Sequence, residues 1–260
     1  MKPKAITLLV ILWATMIVLA AGAGADQAPA ALLGTLTVSP RILDIDAFFS
    51  GGRLTLTGDI GADEDIIIEL YGKNTRTTFD LKDRIGPFWM TNGSVHFENI
   101  PEMYLLLLPD GQDWDKKAET LGLGMKQLEE RVITSGTDDV PQNIFTMFTQ
   151  MKDTEGLYKK FPQAVRYLGE QDGRKKFEAF CPLPALIATG TYNVKATVTS
   201  QGRLVRQITQ QFSVREIGFV KMVNDMASNQ RVVYGVAAVV IALMAGLIMG
   251  VLFRQSGGGH

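Results

Sequence analysis

The chain has 260 residues, with 26 basic and 27 acidic side chains, and its formal net charge at neutral pH is −1. A nucleic-acid-binding protein needs a basic surface, so this charge balance argues against DNA or RNA as a partner. The single cysteine, Cys181, excludes an intrachain disulfide. The chain is nevertheless long enough to be held together by a hydrophobic core.

The N-terminus has the pattern of an export signal. Lys2 and Lys4 precede the apolar run AITLLVILWATMIVLAA, and Ala23 and Ala25 then form the small-x-small pattern that signal peptidase accepts. We predict a secretory signal peptide over residues 1–25, with cleavage after Ala25. An uncleaved signal anchor is the alternative, because the apolar run is long enough to remain in a membrane.

The next part of the chain is rich in predicted strands. Short runs such as GTLTVSP, GRLTLTGDIG, DIIIELYG and MYLLLLP recur about every ten residues between turn signals, a spacing typical of a β-sandwich. Asn92-Gly93 suits a type I′ turn that would pair FWM with VHF as a hairpin. The same two residues and Ser94 also form an N-glycosylation sequon.

The periodicity becomes helical after residue 110. WDKKAETLGLGMKQLEERVI and PQNIFTMFTQMKDTEGLY place apolar residues at steps of three and four, and Pro141 suits a helix start. We predict a helical insertion over about residues 110–180. Within it, the basic run in GRKKFEAF is interpreted as a solvated helix face, with contact to an anionic headgroup as the alternative.

Strands return after the insertion. TYNVKATVTS and RLVRQITQQFSV flank Gln201-Gly202 and predict a hairpin with one buried face. We therefore expect a mainly β fold: an immunoglobulin-like β-sandwich over residues 26–216 that carries the helical insertion. This assignment rests on analogy with membrane-proximal modules of that class.

The C-terminal part predicts a membrane anchor. Residues 217–231 are amphipathic, and residues 232–253 contain no charge, which suits a transmembrane helix across about 30 Å of hydrocarbon. A buried core helix is the alternative. Export of the N-terminus would leave residues 254–260 as a cytoplasmic tail. Small residues recur every fourth position of the span and predict helix packing in the bilayer, with chance as the alternative; they are Ala238, Ala242, Gly246 and Gly250.

Motifs for catalysis or metal binding are absent from the sequence: it has no nucleophile elbow, no zinc-protease motif and no Walker loop. We expect no enzymatic activity, no cofactor and no metal. The acidic clusters and the single pair of His96 and Glu98 are interpreted as solvated or satisfied side chains rather than cation ligands. Cys181 is interpreted as a small buried residue. The clusters are Asp44 with Asp46, residues 63–65, and Asp110 with Asp113 and Asp115.

One charged strand pair ahead of an aromatic residue is a candidate interaction face. Its residues are Lys82, Asp83, Arg84 and Trp89. A plain solvated strand is the alternative, because one sequence does not distinguish the two.

The segments FSGGRLTLTG, DEDIIIELYG, KDRIGPFWMTNGSVHFENIPEMYLLLLP and GTYNVKATVTSQGRLVRQITQQFSVREIGF, followed by YGVAAVVIALMAGLIMGVLF, resemble a known family in the same order. It is the family of predicted transmembrane proteins of about 270 residues described mainly from Alphaproteobacteria. The resemblance implies a signal peptide, an exported β-rich domain and one C-terminal span. It also implies a permease partner related to sulfite or organic-anion exporters. The chain departs from the family pattern at Lys82-Asp83-Arg84 and at Gly72-Lys73. The resemblance therefore does not imply that this chain shares a ligand with the family.

We therefore expect a single-pass protein of the bacterial inner membrane with its N-terminal domain in the periplasm. It would act as an accessory protein that contacts lipid and a second transmembrane protein, such as an anion exporter-like permease, or another copy of itself. The alternative is a periplasmic receptor for a ligand or metal, or an enzyme based on carboxylates.

Overall fold

The structure is a computed structural model that describes residues 34–111, 113–136 and 141–254. The predicted signal peptide, and residues 255–260 of the predicted cytoplasmic tail, lie outside the described residues.

Twelve strands and five helices are present in the described part of the chain. The strands are β1 (Thr35–Ser39), β2 (Ile42–Ile45), β3 (Gly52–Gly61), β4 (Glu64–Tyr71), β5 (Asn74–Ile85), β6 (Phe88–Pro101), β7 (Tyr104–Pro109), β8 (Ile133–Gly136), β9 (Tyr158–Gln171), β10 (Arg174–Leu183), β11 (Gly190–Ser200) and β12 (Arg203–Glu216). The helices are α1 (Trp114–Thr120), α2 (Met125–Arg131), α3 (Ile144–Thr154), α4 (Gly218–Asn229) and α5 (Arg231–Arg254).

Nine strands form one barrel-like sheet in the order β1-β3-β10-β9-β7-β4-β11-β12-β2. The predicted mainly β fold is confirmed. The predicted immunoglobulin-like sandwich is not confirmed: β7 and β9 pair in parallel, with Tyr104 opposite Tyr158, and join the two halves into one continuous sheet. The first strand approaches β12: a Cβ at Gly34 would lie 3.4 Å from the Ile208 side chain.

A smaller sheet in the order β5-β6-β8 packs on the barrel-like sheet together with helices α1 to α3. Apolar side chains are therefore buried on both faces of the central strands. In β4, the consecutive residues Ile66, Ile67 and Ile68 are all fully buried. An aromatic cluster joins the layers. Phe148 of α3 packs against Phe97 of β6 at 4.7 Å and against Tyr158 of β9 at 5.9 Å between ring centroids.

Helices occupy only part of the predicted insertion. Residues 158–171 and 174–183 are strands β9 and β10, so the helical interpretation of GRKKFEAF was wrong. The reason is visible in the burial of β10: Phe177, Ala179 and Cys181 are buried, and the residues between them are more exposed. This period of two is the pattern of a strand with one face in a core.

The predicted turn at Asn92-Gly93 was also wrong. Both residues lie inside β6, and the reversal occurs at Gly86-Pro87, between Ile85 and Phe88. Gly86 has a φ of 65°, a conformation that glycine adopts without strain, and glycine at the first central position is typical of a type II′ turn. The predicted hairpin at Gln201-Gly202 is confirmed, with Ser200 opposite Arg203.

The chain passes from the sheet to the apolar helix with almost no intervening loop. β12 ends at Glu216, α4 begins at Gly218, and Gln230 alone separates α4 from α5. Residues Arg231–Val251 of α5 are long and apolar enough to cross a membrane, and none of them is buried in the chain. The apolar helix therefore begins 15 residues after the last strand, and the rest of the described chain does not cover it. Residues in a helix advance the chain by only about 1.5 Å each, so this connection is short.

Candidate functional site

Exposed apolar side chains cluster at the end of the β5–β6 hairpin, residues 82–91, which we call the hairpin tip. Four large apolar side chains there are more than half exposed: Ile85 (56%), Phe88 (68%), Trp89 (70%) and Met90 (52%). Single exposed apolar residues are ordinary, but four within six positions form a patch of the kind found at interaction sites.

The predicted interaction face lies within this tip. Lys82, Asp83, Arg84 and Trp89 are all exposed, and the register places Arg84 directly opposite Trp89. Directly opposite residues share a face, so Arg84 and Trp89 lie on one side of the ribbon. Ile85 and Phe88 form the next pair and lie on the other side.

Sequence reasoning missed three members of the patch: Ile85, Phe88 and Met90. A signal was present, because the apolar residues of IGPFWM flank a Gly-Pro pair that suits a reversal rather than a core strand. The prediction of a turn at Asn92-Gly93 assigned these residues to the interior of a strand. Because the reversal is at Gly86-Pro87, their side chains lie at the solvent-exposed end of the hairpin.

The root of the hairpin is fixed to the domain. Phe79 of β5 packs edge-on against Phe148 at 6.2 Å, and Val95 and Phe97 of β6 are fully buried. A side-chain hydrogen bond also joins β6 to β5, because the Ser94 hydroxyl donates to Asp80 at 2.7 Å. A rigid base with a free end presents the tip at a defined position.

The free end itself is a two-stranded ribbon. β8 pairs with β6 only from Val95 to Glu98, and β5 has no strand on its other side among the described residues. Among the residues that the structure describes, the backbone on both edges of the tip therefore has no neighbouring strand, and such an exposed edge can accept a further strand. Local bonds order the ribbon: Asn92 donates to Asp83 at 2.6 Å, and Arg84 Nε donates to the Gly86 carbonyl at 3.2 Å.

Each acidic cluster considered as a cation site contains a carboxylate that is paired with a basic side chain. Asp44 accepts from Arg215, whose hydrogen bond lowers the pKa of that carboxyl, and Asp115 lies 2.9 Å from the Lys160 ammonium. Glu64 accepts two bonds from Arg206. No group of three or more metal-ligating side chains occurs among the described residues.

The remaining candidates also have structural partners. His96 lies 3.0 Å from the Thr78 hydroxyl, and its neighbour Glu98 pairs with Arg76. Cys181 is fully buried, and burial raises the pKa of its thiol to about 12. These groups are occupied by contacts within the domain.

A buried polar cluster was not anticipated from the sequence. The Tyr104 hydroxyl donates to Glu69 at 2.7 Å and accepts from the Gly124 N–H at 2.9 Å, and Glu69 lies 2.6 Å from the Lys195 ammonium. Burial, with the nearby Glu69 carboxylate, raises the pKa of Tyr104 well above its usual range. The cluster ties the start of α2 to β7 and β4, and the Lys195 ammonium balances the charge of the buried Glu69 carboxylate.

The predicted helix-packing stripe lies on α5. Ala238, Ala242, Gly246 and Gly250 are exposed, and a Cβ built at Gly246 or Gly250 would meet nothing within 4 Å. Within the described chain this face therefore has open space beside it. The hairpin tip and the stripe are two separate surfaces, one on the domain and one on the apolar helix.

Comparison with known proteins identifies a family for this chain. The model of the family described as "Putative transmembrane protein (Alph_Pro_TM)" matches residues 35–255. No curated protein matches the sequence. Among solved structures, the N-terminal domain of a Streptococcus gordonii adhesin matches with a TM-score of 0.25 and 10% identity, covering 71% of this chain and 32% of that one.

Proposed function

Because the chain belongs to this transmembrane protein family, we propose that it is a membrane-anchored accessory protein that presents its hairpin tip to another membrane protein. The observation that carries the proposal is the cluster of Ile85, Phe88, Trp89 and Met90 at the end of a rigidly rooted hairpin. The C-terminal apolar helix anchors the domain, and the tip makes the contact. The protein acts by binding and performs no catalysis of its own.

The composition of the tip favours a protein partner. Interface cores are enriched in aromatic residues, Met and Arg, and the tip combines Phe88, Trp89, Met90 and Arg84 within seven positions. Trp and Arg are also the residue types that most often dominate binding energy. The free strand edges of β5 and β6 add main-chain hydrogen bonds that a polypeptide satisfies and a small solute does not.

The receptor or enzyme alternative has less support. The cleft between α1, α2 and β7, which contains Asp115, Lys126 and Lys160, has a volume of about 130 Å³. Sites for small molecules are typically about 300–1,000 Å³. The cleft is therefore smaller than a typical small-molecule site, and Asp115 within it is already paired with Lys160.

The strand order supports an immunoglobulin-like arrangement within the barrel-like sheet. The order β1-β3-β10-β9 corresponds to strands A-B-E-D of that fold, and β4-β11-β12 corresponds to C-F-G. The hairpin then falls between strand C and its successor. A segment inserted there leaves the remaining strand pairs intact, which is how a scaffold can carry a variable interaction element.

We place the domain in the periplasm, anchored in the bacterial inner membrane, because a signal peptide over residues 1–25 would export everything before α5. The partner we propose is an integral membrane protein such as an anion exporter-like permease. The small-residue stripe of α5 gives it a second point of contact inside the bilayer. The two surfaces together would fix the partner's position more firmly than either alone.

A photo-crosslinking experiment tests this proposal. The full chain is expressed in its native membranes with benzoylphenylalanine in place of Phe88 or Trp89, irradiated, and purified for mass spectrometry. We expect one discrete adduct with an integral membrane protein from both positions. Leu168 is the matched control, because it is 62% exposed and lies on β9 away from the tip.

The outcomes are distinct. An adduct from the tip but not from position 168 supports the proposal. Adducts at all three positions indicate non-specific collision, and no adduct at the tip with a folded protein refutes the partner contact. Crosslinks between two copies of the chain would show that the partner at the tip is a second copy of the protein and not a permease.

A further inference from the structure

We propose that the end of the barrel-like sheet from which the chain enters α4 lies against the lipid surface, through a rim of exposed apolar side chains. The rim consists of Phe48, Leu186, Ile217, Phe219 and Met222. Its occupant is the interfacial layer of the bilayer that α5 crosses.

The strand pairing places these residues at one end of the sheet. β2 runs parallel to β12, so Ile45 lies beside Glu216, and the Ile217 N–H donates to the Ile45 carbonyl at 2.9 Å. The loop that carries Phe48 begins immediately after Ile45. The rim therefore starts within a few residues of the tether to the membrane helix.

Leu186 lies on the neighbouring loop at the same end. Gly190 of β11 pairs with Val214 of β12, and Leu183 of β10 pairs with Gly52 of β3, so the loop between β10 and β11 sits at this edge. A Cβ built at Gly51 would lie 3.0 Å from the Leu183 carbonyl oxygen. The two loops are thus direct neighbours.

Each loop sends one apolar side chain into the core and one outward. Phe49 packs against the core while Phe48 is 90% exposed; Ile187 is 4% exposed and Leu186 62%. The core requirement is met by the buried member of each pair. The outward member leaves most of its apolar surface in water, and this exposure has a free-energy cost.

The tether continues the apolar surface. In α4, Phe219 is 68% exposed and Met222 is 51% exposed, whereas Val223 and Met226 are partly buried. A helix of 12 residues is about 18 Å long. If α4 stood perpendicular to the membrane, Phe219 would lie in water, about one helix length from the bilayer. If α4 lies in the interface, Phe219 and Met222 are immersed in it and the rim reaches the lipid headgroups.

The occupant follows from continuity with α5. That helix begins at Arg231, after Gln230 alone, and its exposed Tyr234 is of the type that collects at the membrane interface. A surface connected to the bilayer by one short helix meets lipid at a very high effective concentration. The opposite end of the sheet differs, since its turns carry charged side chains such as Asp63, Asp172 and Arg203.

Lipid quenching of single-cysteine probes in the full chain tests the rim. Phe48→Cys, Leu186→Cys and, as a positive control, Phe219→Cys are labelled with nitrobenzoxadiazole and reconstituted in nanodiscs of phosphatidylcholine, with or without nitroxide at the headgroup or upper acyl chain. Arg203→Cys, at the first residue of β12 and beside the β11–β12 turn, is the negative control. Cys181 is fully buried, and the unsubstituted chain measures its background labelling.

We expect nitroxide lipid to reduce emission at positions 48 and 186 roughly twofold or more, as at 219, and to leave position 203 unchanged. Because these side chains are exposed, unchanged melting midpoints should accompany all four substitutions. Quenching at 219 without quenching at 48 and 186 would overturn the proposal.

A fifth probe, Trp89→Cys at the hairpin tip, separates this inference from the proposed function. Quenching at 89 instead of 48 and 186 would show that the hairpin, and not the rim, contacts lipid. The rim depends only on the membrane anchor, so a failed crosslink at Phe88 or Trp89 leaves it standing. Conversely, an unquenched rim does not affect the partner contact at the tip.

Discussion

Arg206 and Glu64 form a bidentate ion pair, with Nη1 2.6 Å from Oε1 and Nη2 2.6 Å from Oε2, that joins β12 to the start of β4. Both side chains are mostly shielded, at 18% and 16% exposure. The Gly61 N–H also donates to Glu64 at 2.7 Å. Parallel charge-assisted bonds of this geometry are among the stronger polar contacts in proteins.

This pair predicts an acid-sensitive component of stability. The Arg206 hydrogen bond lowers the pKa of Glu64, although partial burial opposes it, so the folded state holds the carboxylate in its charged form. The stabilisation is fully present above the unfolded-state pKa of Glu and is lost as the pH falls through the lower folded-state pKa. Glu64→Gln should therefore reduce the free energy of unfolding by about 1–3 kcal/mol at neutral pH.

Urea unfolding of the full chain in micelles, followed by circular dichroism from pH 7 to pH 3, measures the effect. The difference between the native chain and Glu64→Gln should shrink toward low pH. Lys221→Gln is the control, because its partner Asp225 is exposed and such pairs contribute only about 0.3–0.5 kcal/mol. A pH-independent difference would contradict the ion-pair explanation.

The second prediction concerns the root of the hairpin. Phe148 is 1% exposed and contacts the rings of Phe79, Phe97 and Tyr158. Phe148→Ala should destabilise the domain by about 3–5 kcal/mol, because it leaves a cavity among aromatic rings. Met147→Ala on the same helix should cost far less, since Met147 is 39% exposed.

Limited proteolysis adds a local readout to thermal melting. With Phe148→Ala, cleavage within residues 74–101 should become faster than in the native chain, because α3 no longer holds β5 and β6. Uniform protection of the hairpin in this variant would show that other contacts hold the root.

The strands could be predicted better than their connections. Alternating or continuous apolar patterns identified most segments of the barrel-like sheet, and Gln201-Gly202 identified its last hairpin, because burial on one face imposes a local period. The parallel pairing of β7 with β9 has no local signature. It depends on contacts between residues about 50 positions apart, such as Tyr104 and Tyr158.

The candidate site shows the same limit. Trp89 and its charged neighbours could be selected from their residue types, whereas Ile85 and Phe88 required the position of the turn. Asn92-Gly93 has the stronger turn propensity by itself. The register of β5 with β6 overrides it, because moving the reversal there would withdraw Val95 and Phe97 from the positions they bury in the core.

The third prediction concerns Cys181. Because burial raises the pKa of its thiol to about 12, almost no thiolate forms at neutral pH, and a neutral buried thiol is a poor nucleophile. In the folded chain we expect maleimide or disulfide reagents to react only as fast as the domain unfolds. Labelling followed with increasing urea should track the unfolding transition; rapid labelling in the native state would show an accessible site.

The fourth prediction separates binding from folding at the hairpin tip. Phe88→Ser and Trp89→Ser should change the free energy of unfolding by no more than about 0.5 kcal/mol, because both side chains are more than two-thirds exposed. The same substitutions should abolish co-purification of the membrane partner. Leu204→Ser, at a half-exposed residue of β12, should affect neither property. Loss of stability in the tip variants would mean that the patch serves the domain itself.

The fifth prediction concerns the membrane helix. Gly246→Leu and Gly250→Leu fill the open space beside the small-residue stripe, so a neighbouring helix could no longer approach closely. We expect weaker association with the partner in membranes, measured by energy transfer between labelled proteins, with the domain's melting temperature unchanged. Ile248→Phe adds bulk on the opposite side of the helix, two residues and therefore about 160° from both Gly246 and Gly250, and is the matched control. Equal loss in all three variants would indicate a general effect on the helix. Loss confined to Gly246→Leu and Gly250→Leu would assign the contact to the stripe, because only there does added volume displace a partner backbone.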